Sequence, residues 1–272
     1  MNIFYNKIAI VTGGASGIGK ALCEELAKQG AVVIIADLDR EKAEQVARAI
    51  TATQSPAYPV TARYEVDVTQ PEQVQRVVDE TVAQHGRLDY IFNNAGIGIL
   101  GEVIDMKLEH WNRIIDVNLR GVIHGISAAY PVMVRQGYGH IVNTSSGFGL
   151  VAMPTHVAYG TTKHALVGLS TGLRSEAAGL GVKVTVACPG IIRTPMAEST
   201  TFLRGKIEAK PPFKMMEAAD CAKAILEGVA QNKAIITMPS YMTLTWWLHR
   251  LSPNLTALAS RQMIASFRKN LK

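Results

Sequence analysis

Tyr159 and Lys163 stand four residues apart in a stretch whose pattern predicts a helix over residues 157–178. Residues at that spacing share a helix face, so a phenol and an ammonium meet there. A free phenol titrates at about 10 and is a poor base near neutral pH. A neighbouring positive charge favours the phenolate and brings the hydroxyl within range of acid–base work. Ser145 and Ser146 end or follow a predicted strand over residues 139–145, near the carboxyl edge where open α/β sheets bind ligands. A hydroxyl at Ser146 can hold a substrate oxygen beside Tyr159. No Gly-x-Ser-x-Gly elbow marks it as a nucleophile. The chemistry on offer is proton transfer at an oxygen.

A second constellation lies near the amino end. The run Thr12-Gly13-Gly14-Ala15-Ser16-Gly17-Ile18-Gly19 follows a β-branched segment and opens a helical one. Glycines let the backbone turn tightly and approach a ligand, and the helix start offers unpaired N–H groups to a pyrophosphate. The Gly-x-x-x-Gly-x-Gly spacing differs from the commoner Gly-x-Gly-x-x-Gly form, so strand before and helix after carry the reading. Asp37 lies 18 residues beyond Gly19, at the end of the next predicted strand. An acid there accepts hydrogen bonds from the adenosine ribose and repels a 2′-phosphate. No Lys or Arg interrupts residues 13–19, although Arg40 is near enough to offset part of the repulsion. The cofactor expected is NAD.

Together these segments resemble the short-chain dehydrogenase/reductase family over about residues 5–240. The matching motifs in chain order are the glycine run, Asp67-Val68, Asn93-Asn94-Ala95-Gly96, Asn118 in Val-Asn-Leu-Arg-Gly, Ser146, Tyr159-Gly-Thr-Thr-Lys163, and Pro189-Gly190 with Thr194 beyond. The family spacing of 13 residues between serine and tyrosine selects Ser146 over Ser145. The resemblance implies that Asn118 holds a water linking Lys163 to solvent, and that Lys163 also holds the nicotinamide ribose. It places Gly13, Ser16, Gly17, Ile18 and Gly19 at the pyrophosphate. Asp67 and Val68 would face the adenine, with Asn94, Ala95 and Gly96 beside its ribose. Pro189, Gly190, Ile192 and Thr194 would pass the nicotinamide. Tyr159 and Lys163 are thus both catalytic and cofactor-binding, and no metal is expected. The family also pairs subunits through helices matching residues 108–136 and 157–178, so a homodimer or homotetramer is expected.

The elements that must position these groups alternate along the chain. Strands are predicted at 7–12, 31–36, 64–68, 88–93, 139–145, 182–187 and 234–238. Helices are predicted at 18–29, 40–50, 71–85, 108–136, 157–178 and 217–230. Such alternation implies one doubly wound, Rossmann-type α/β domain: a seven-stranded parallel sheet with helices on both faces.

Composition narrows the remaining classes. Of 272 residues 48% are hydrophobic and 18% charged, a globular balance that excludes disorder as the main theme. Three scattered cysteines, Cys23, Cys188 and Cys221, exclude a disulfide framework and give no zinc spacing. No apolar run reaches the length of a membrane span or a secretory signal, so a cytoplasmic protein is expected. The net charge of +6 invites a nucleic-acid reading, yet the last acid is Glu227 and the final 45 residues carry six basic side chains. The basic character is therefore a tail, not a nucleic-acid surface.

Residues 1–240 are expected to form the catalytic domain, with a substrate lid at about 195–216, and 241–272 an extension. Met196, Phe202, Leu203, Phe213, Met215 and Met216 give the lid a Met- and Phe-rich surface, with Phe148, Leu150 and residues 97–100 facing it. A lipophilic alcohol or ketone of steroid, retinoid or fatty-chain type is the substrate expected. The alternatives are a 3-oxoacyl-carrier-protein reductase-like enzyme and a non-catalytic NAD-binding regulator. In the extension Trp246-Trp247 precedes a helix expected after Pro253, on which Arg261, Arg268 and Lys272 share a stripe. Peripheral membrane contact, subunit packing and covering of the cleft are the three roles open to it.

Overall fold

β-Branched and aliphatic runs closed by glycine or polar residues form the strands of a parallel sheet. The computed structural model describes residues 2–53, 60–204 and 214–270. The sheet strands are β1 (Ile8–Thr12), β2 (Val32–Asp37), β3 (Val60–Glu65), β4 (Tyr90–Asn93), β5 (Gly139–Thr144), β6 (Val182–Pro189) and β7 (Ile235–Met238). They lie in the order β7-β6-β5-β4-β1-β2-β3, with every pairing parallel. The order reverses between β1 and β4, and at such a switch point the carboxyl strand ends leave a crevice.

The helices are α1 (Gly17–Lys28), α2 (Arg40–Thr53), α3 (Pro71–His85), α4 (Leu108–Ile115), α5 (Gly121–Gln136), α6 (Val157–Glu176), α7 (Ala218–Ala230), α8 (Ser240–Leu251) and α9 (Pro253–Asn270). Both sheet faces are covered, which explains why the strands read as continuous apolar runs. Alternate residues serve opposite cores. Ala9, Val11, Val33 and Ile35 pack with Leu22 and Leu26 of α1 and Leu226 of α7. Ile8, Ile10, Ile34 and Ile91 pack on the other side with Val78 of α3 and Met133 of α5.

Three expectations need correction. The third strand lies at Val60–Glu65, upstream of the segment 64–68. Val66 and Val68 are buried in the core, but from a turn rather than a strand. Asp67 makes that turn by accepting hydrogen bonds from the Thr69 amide at 2.9 Å and hydroxyl at 2.8 Å. The long helix expected over 108–136 contains a widened turn, Asp116–Arg120, between α4 and α5. And the extension is helical from Ser240, with α8 preceding the helix expected after Pro253.

At the amino edge one buried carboxylate pins the switch-point strands. Asp89 accepts from the Ile8 amide at 2.9 Å, from Lys7 Nζ at 3.0 Å and from Arg87 Nε at 2.9 Å. Asp89 is 4% exposed, whereas both cations are partly in water. Asp89→Ala leaves a buried amide without its acceptor and should lower stability by about 2–3 kcal/mol. Urea unfolding followed by circular dichroism measures the loss.

Candidate active site

The glycine run forms the floor of the crevice. β1 ends at Thr12, whose hydroxyl accepts from the amides of Asn94 at 3.0 Å and Ala95 at 3.1 Å, joining the ends of β1 and β4. Gly13 turns the chain with a φ of +65°, and a Cβ there would lie 2.8 Å from Ala95 Cα. Only glycine fits that turn. Ser16 precedes α1 without a side-chain cap, and no acid occupies the first turn. The amides of Gly17, Ile18 and Gly19 therefore open the helix with no acidic side chain of that turn competing for them, the arrangement that receives a phosphate.

Asp37 closes β2 beside that loop. Its carboxylate accepts from the Ala15 amide at 2.9 Å and the Asp39 amide at 3.0 Å, which fixes it against the glycine turn. Each carboxylate oxygen keeps further acceptor capacity for a hydroxyl. Arg40 does not offset this charge directly: its guanidinium pairs with Glu44 at 2.9 Å. Further round, the Val68 carbonyl meets His124 Nδ1 at 2.8 Å. Asn94 Nδ2 donates to the carbonyls of Thr12 and Gly13 at 3.2 and 3.3 Å. Past β6, Gly190 donates to the Met238 carbonyl at 2.7 Å, and the Thr194 side chain rests against Gly17. Ile192–Arg193 pairs with Met216–Glu217, which brings the chain back beside the crevice.

The four residues expected to do chemistry gather where β5, α6 and the widened turn meet. Asn118 is fully buried. It accepts from the Ile97 amide at 2.8 Å and donates to the Ile97 carbonyl at 3.0 Å. Lys163, 3% exposed, donates from Nζ to the Thr144 carbonyl at 2.9 Å. A Cβ on Gly96 would crowd Asn118 Oδ1 at 3.2 Å and reach ordinary contact with Lys163 Nζ at 3.5 Å, so the bare glycine makes room for Asn118. Nζ lies 5.6 Å from the centre of the Tyr159 ring. Ser146 opens a short turn and accepts from the Phe148 amide at 3.2 Å. Ser145 instead donates to the Lys163 carbonyl at 2.7 Å, inside the core.

Electrostatics here correct one expectation. Burial raises the Tyr159 phenol above its ordinary value, and the Ser146 hydroxyl works against that rise. Burial outweighs that bond, so the shift is upward, and burial brings the neighbouring Lys163 down to about 8. The phenol is therefore protonated at neutral pH.

The apolar surroundings also differ in part from the sequence reading. Ile97, Met106, Trp111 and Leu203 pack with Tyr159 around buried Ile99 and Ile114. Phe148 lies edge-on to Tyr159 at 6.4 Å. Leu150 does not join them: it is buried with Val186 and Cys188 beneath Trp246. Thr201–Phe202 pairs with Ile99–Leu100, tying the segment after Thr200 to the opposite wall. Phe213 lies outside the described residues.

Three residues of the site escaped the sequence reading. His156 packs on Phe148 with ring centres 4.5 Å apart and the rings tilted by 50°, and burial holds its imidazole below the ordinary value, hence neutral. Its place three residues before Tyr159 was a usable signal. Tyr241 of α8 accepts at its hydroxyl from the Ile191 amide at 2.9 Å, and Met242 covers Gly147 and Gly190. Nothing in their residue types announced that contact. The extension thus packs on the loops that carry Ser146 and Gly190.

With this geometry, the comparison with known proteins is direct. The family described as short chain dehydrogenase matches residues 7–202. The chain belongs to that family. It is accordingly an oxidoreductase. An uncharacterised oxidoreductase of Staphylococcus epidermidis is 35% identical over 205 residues, covering 75% of this chain and 86% of that one. A 3-oxoacyl-[acyl-carrier-protein] reductase of Thermotoga maritima is 35% identical over 192 residues, covering 71% of this chain and 76% of its own. Among solved structures, a short-chain dehydrogenase/reductase of Burkholderia phymatum in complex with NAD superposes with a TM-score of 0.82 at 29% identity, over 93% of this chain and 95% of that one.

The buried ammonium leads to a test by pH. An unfolded lysine keeps its proton up to about 10.5, whereas folded Lys163 releases it at about 8. Between these values the unfolded chain binds more protons, so this group's contribution to stability grows as pH rises. It is fully present above 10.5 and lost as pH falls through 8. Lys163→Met lacks this dependence, while its loss of the Thr144 hydrogen bond is constant with pH. Wild type should therefore gain on the variant by about 3 kcal/mol between pH 7 and 10.5. Denaturant unfolding at a series of pH values reads the difference, and a parallel pair of curves contradicts the depressed lysine.

Proposed function

We propose that this enzyme transfers a hydride between NAD(H) and a lipophilic secondary alcohol or ketone. The observation that carries the reading is the convergence of Ser146, Tyr159 and Lys163 at the crevice of the sheet, with the Lys163 ammonium 5.6 Å from the Tyr159 ring centre. A non-catalytic regulator has no need of a phenol and a buried ammonium kept together.

The residues of the crevice fit NAD. The turn at Gly13 has no room for a side chain, and its bare backbone can approach a ligand closely. The first turn of α1 carries no acid to oppose a pyrophosphate, so Gly13, Ser16, Gly17, Ile18 and Gly19 would hold it. Asp37 would take the ribose hydroxyls and repel a 2′-phosphate. Asp67 and Val68 would border the adenine, and Asn94, Ala95 and Gly96 its ribose. Pro189, Gly190, the Ile192 backbone and Thr194 would flank the nicotinamide, with Tyr159 and Lys163 at its ribose. NAD supplies the hydride acceptor when bound, and NADH the donor.

The chain's own residues handle the proton. In carbonyl reduction the Tyr159 hydroxyl gives its proton to the substrate oxygen, and burial keeps that proton in place at neutral pH. In alcohol oxidation the Tyr159 oxygen must first be a phenolate, which the nearby ammonium stabilises, and as phenolate it takes the substrate's hydroxyl proton. Ser146 holds the substrate oxygen. Asn118 fixes the backbone at Ile97 and so the wall against which Lys163 is held.

The apolar wall of Ile97, Met106, Trp111 and Leu203, with neutral His156 on Phe148, supports a lipophilic substrate. The Thermotoga relative favours a second reading, a 3-oxoacyl-carrier-protein reductase. Asp37 favours NADH over NADPH in either reading, so the substrate panel has to separate the two. Among the described residues no helix is long and apolar enough to cross a membrane. The exposed faces of α5 and α6, with Ile123 and Val157 outward, are the surfaces we assign to pairing of subunits into a dimer or tetramer.

A panel of alcohols and ketones with NAD(H) and NADP(H), followed at the reduced-nicotinamide absorbance, tests the reaction. Tyr159→Phe keeps the ring but removes the hydroxyl, so turnover should fall by about 10²-fold or more while NAD still binds. Near-normal turnover in the purified variant would sink the assignment. Asp37→Ser should weaken NAD and admit NADP, since acceptor and repelling charge leave together. An unchanged ratio of the two affinities, measured by titration, would count against NAD selection by this carboxylate.

A further inference from the structure

α8 has two apolar faces, and only one of them is used. Met242 and Trp246 turn inward, Met242 onto Gly147 and Gly190 and Trp246 onto the cluster of Leu150, Val151, Val186 and Cys188. On the outer face Leu244, Trp247, Leu248 and Leu251 recur at i, i+3, i+4 and i+7 with exposures of 62, 51, 47 and 79%. Leu255 and Leu258 continue the series on α9, at 63 and 55%. A helix apolar on both sides is stable only when both sides are covered. The four large side chains on one face of α8 form a patch, not a scatter of single exposed residues.

The charge around the patch decides what covers it. Arg250 lies over the Trp247 ring at 5.5 Å, Arg261 follows on α9, and no acid occurs among residues 228–272. A second copy meeting this face through the same face would bring basic groups against basic groups. An anionic lipid surface satisfies both features, taking the leucines and Trp247 into its apolar boundary and the guanidinium groups to its headgroups. Arg268 is not part of this device: it pairs with Glu102, next to exposed Val103 and Ile104. Lys272 lies outside the described residues.

We propose that α8 and α9 dock on an anionic membrane surface through Leu244, Trp247, Leu248, Leu251, Leu255 and Leu258, with Arg250 and Arg261 at its headgroups. The opposite face of α8 covers Gly147 and Gly190, so one helix thickness, about 10 Å, separates the lipid from the loops around Ser146. A lipophilic substrate dissolved in the bilayer then has a short path to the crevice. The docking itself does not depend on the hydride-transfer reading.

The test is co-sedimentation of the purified full chain with vesicles of phosphatidylcholine alone and of an equimolar mixture with phosphatidylglycerol. Wild type should sediment with the mixed vesicles at low salt, weakly with the neutral ones, and less as salt rises. Each basic group at such a surface multiplies binding by about fivefold, so R250Q/R261Q should lose about 25-fold on mixed vesicles. L248D/L251D should lose binding to both kinds. All four positions are exposed, and an unchanged circular dichroism spectrum and melting midpoint establish that the variants are folded. Wild type remaining in the supernatant at low salt, or variants that sediment like wild type, overturns the proposal. A fall in oligomer mass for L248D/L251D in sedimentation velocity, with no vesicle binding by wild type, assigns the face to a second copy instead. None of these readouts uses turnover, so failure here leaves the dehydrogenase assignment to its own absorbance assay.

Discussion

An ammonium ion held out of water organises the whole centre of this molecule. Lys163 is 3% exposed, and its Nζ has the Thr144 carbonyl as a hydrogen-bond acceptor. Such a charge is expensive to bury, and its depressed pKa of about 8 records the expense. Its neighbours make sense as conditions for keeping it there. Gly96 has no side chain to crowd the clamp beside Nζ, where a Cβ would press on Asn118 Oδ1. Ser145 binds the Lys163 carbonyl and anchors that turn of α6 to the end of β5. The widened turn Asp116–Arg120 carries Asn118 inward to clamp Ile97, and inserted turns of this kind recur where a helix has to deliver a functional group.

The same constraint explains why the crevice lies where it does. β1 and β4 are neighbours whose connections leave in opposite directions, so the gap beyond their ends is not covered by either crossover. Thr12 spans it, binding the amides of Asn94 and Ala95 with one hydroxyl. Asn94 returns the link through its amide to the Thr12 and Gly13 carbonyls. The glycine turn on one side and the lysine pocket on the other are thereby fixed relative to each other by short polar bonds. A dinucleotide that bridges the two halves meets a preorganised surface, which lowers the entropic penalty of binding.

How much of this was legible in the sequence depends on whether a residue's type or its surroundings decides its role. Glycines, Asp37, Tyr159 and Lys163 announce themselves because few residue types can take those places, and their spacing survives folding. The sheet was legible too, since strands buried on both faces have no polar alternation to confuse. The third strand was misplaced because Val66 and Val68 are β-branched and buried, and only the Asp67–Thr69 hydrogen bonds reveal a turn. The direction of the Tyr159 shift was misread for a related reason: the sequence shows a cation four residues away but not the depth of burial that outweighs it. Trp246 and Trp247 are adjacent and chemically identical, yet one covers the core and the other faces outward, a distinction that only helix phase supplies.

Helix α8 lies beyond the matched family segment, which ends at residue 202, yet it touches that segment where the chemistry occurs. Tyr241 accepts from the Ile191 amide, and Met242 bears on the two glycines that follow Ser146 and Pro189. Glycine gives those loops freedom to move, and a thioether that fills irregular space is well suited to limiting it. A displacement of α8 must therefore change the space available to both loops together. Through Tyr241 and Met242 the inner face of α8 bounds both loops at once, so the extension belongs to the candidate site as much as to the surface.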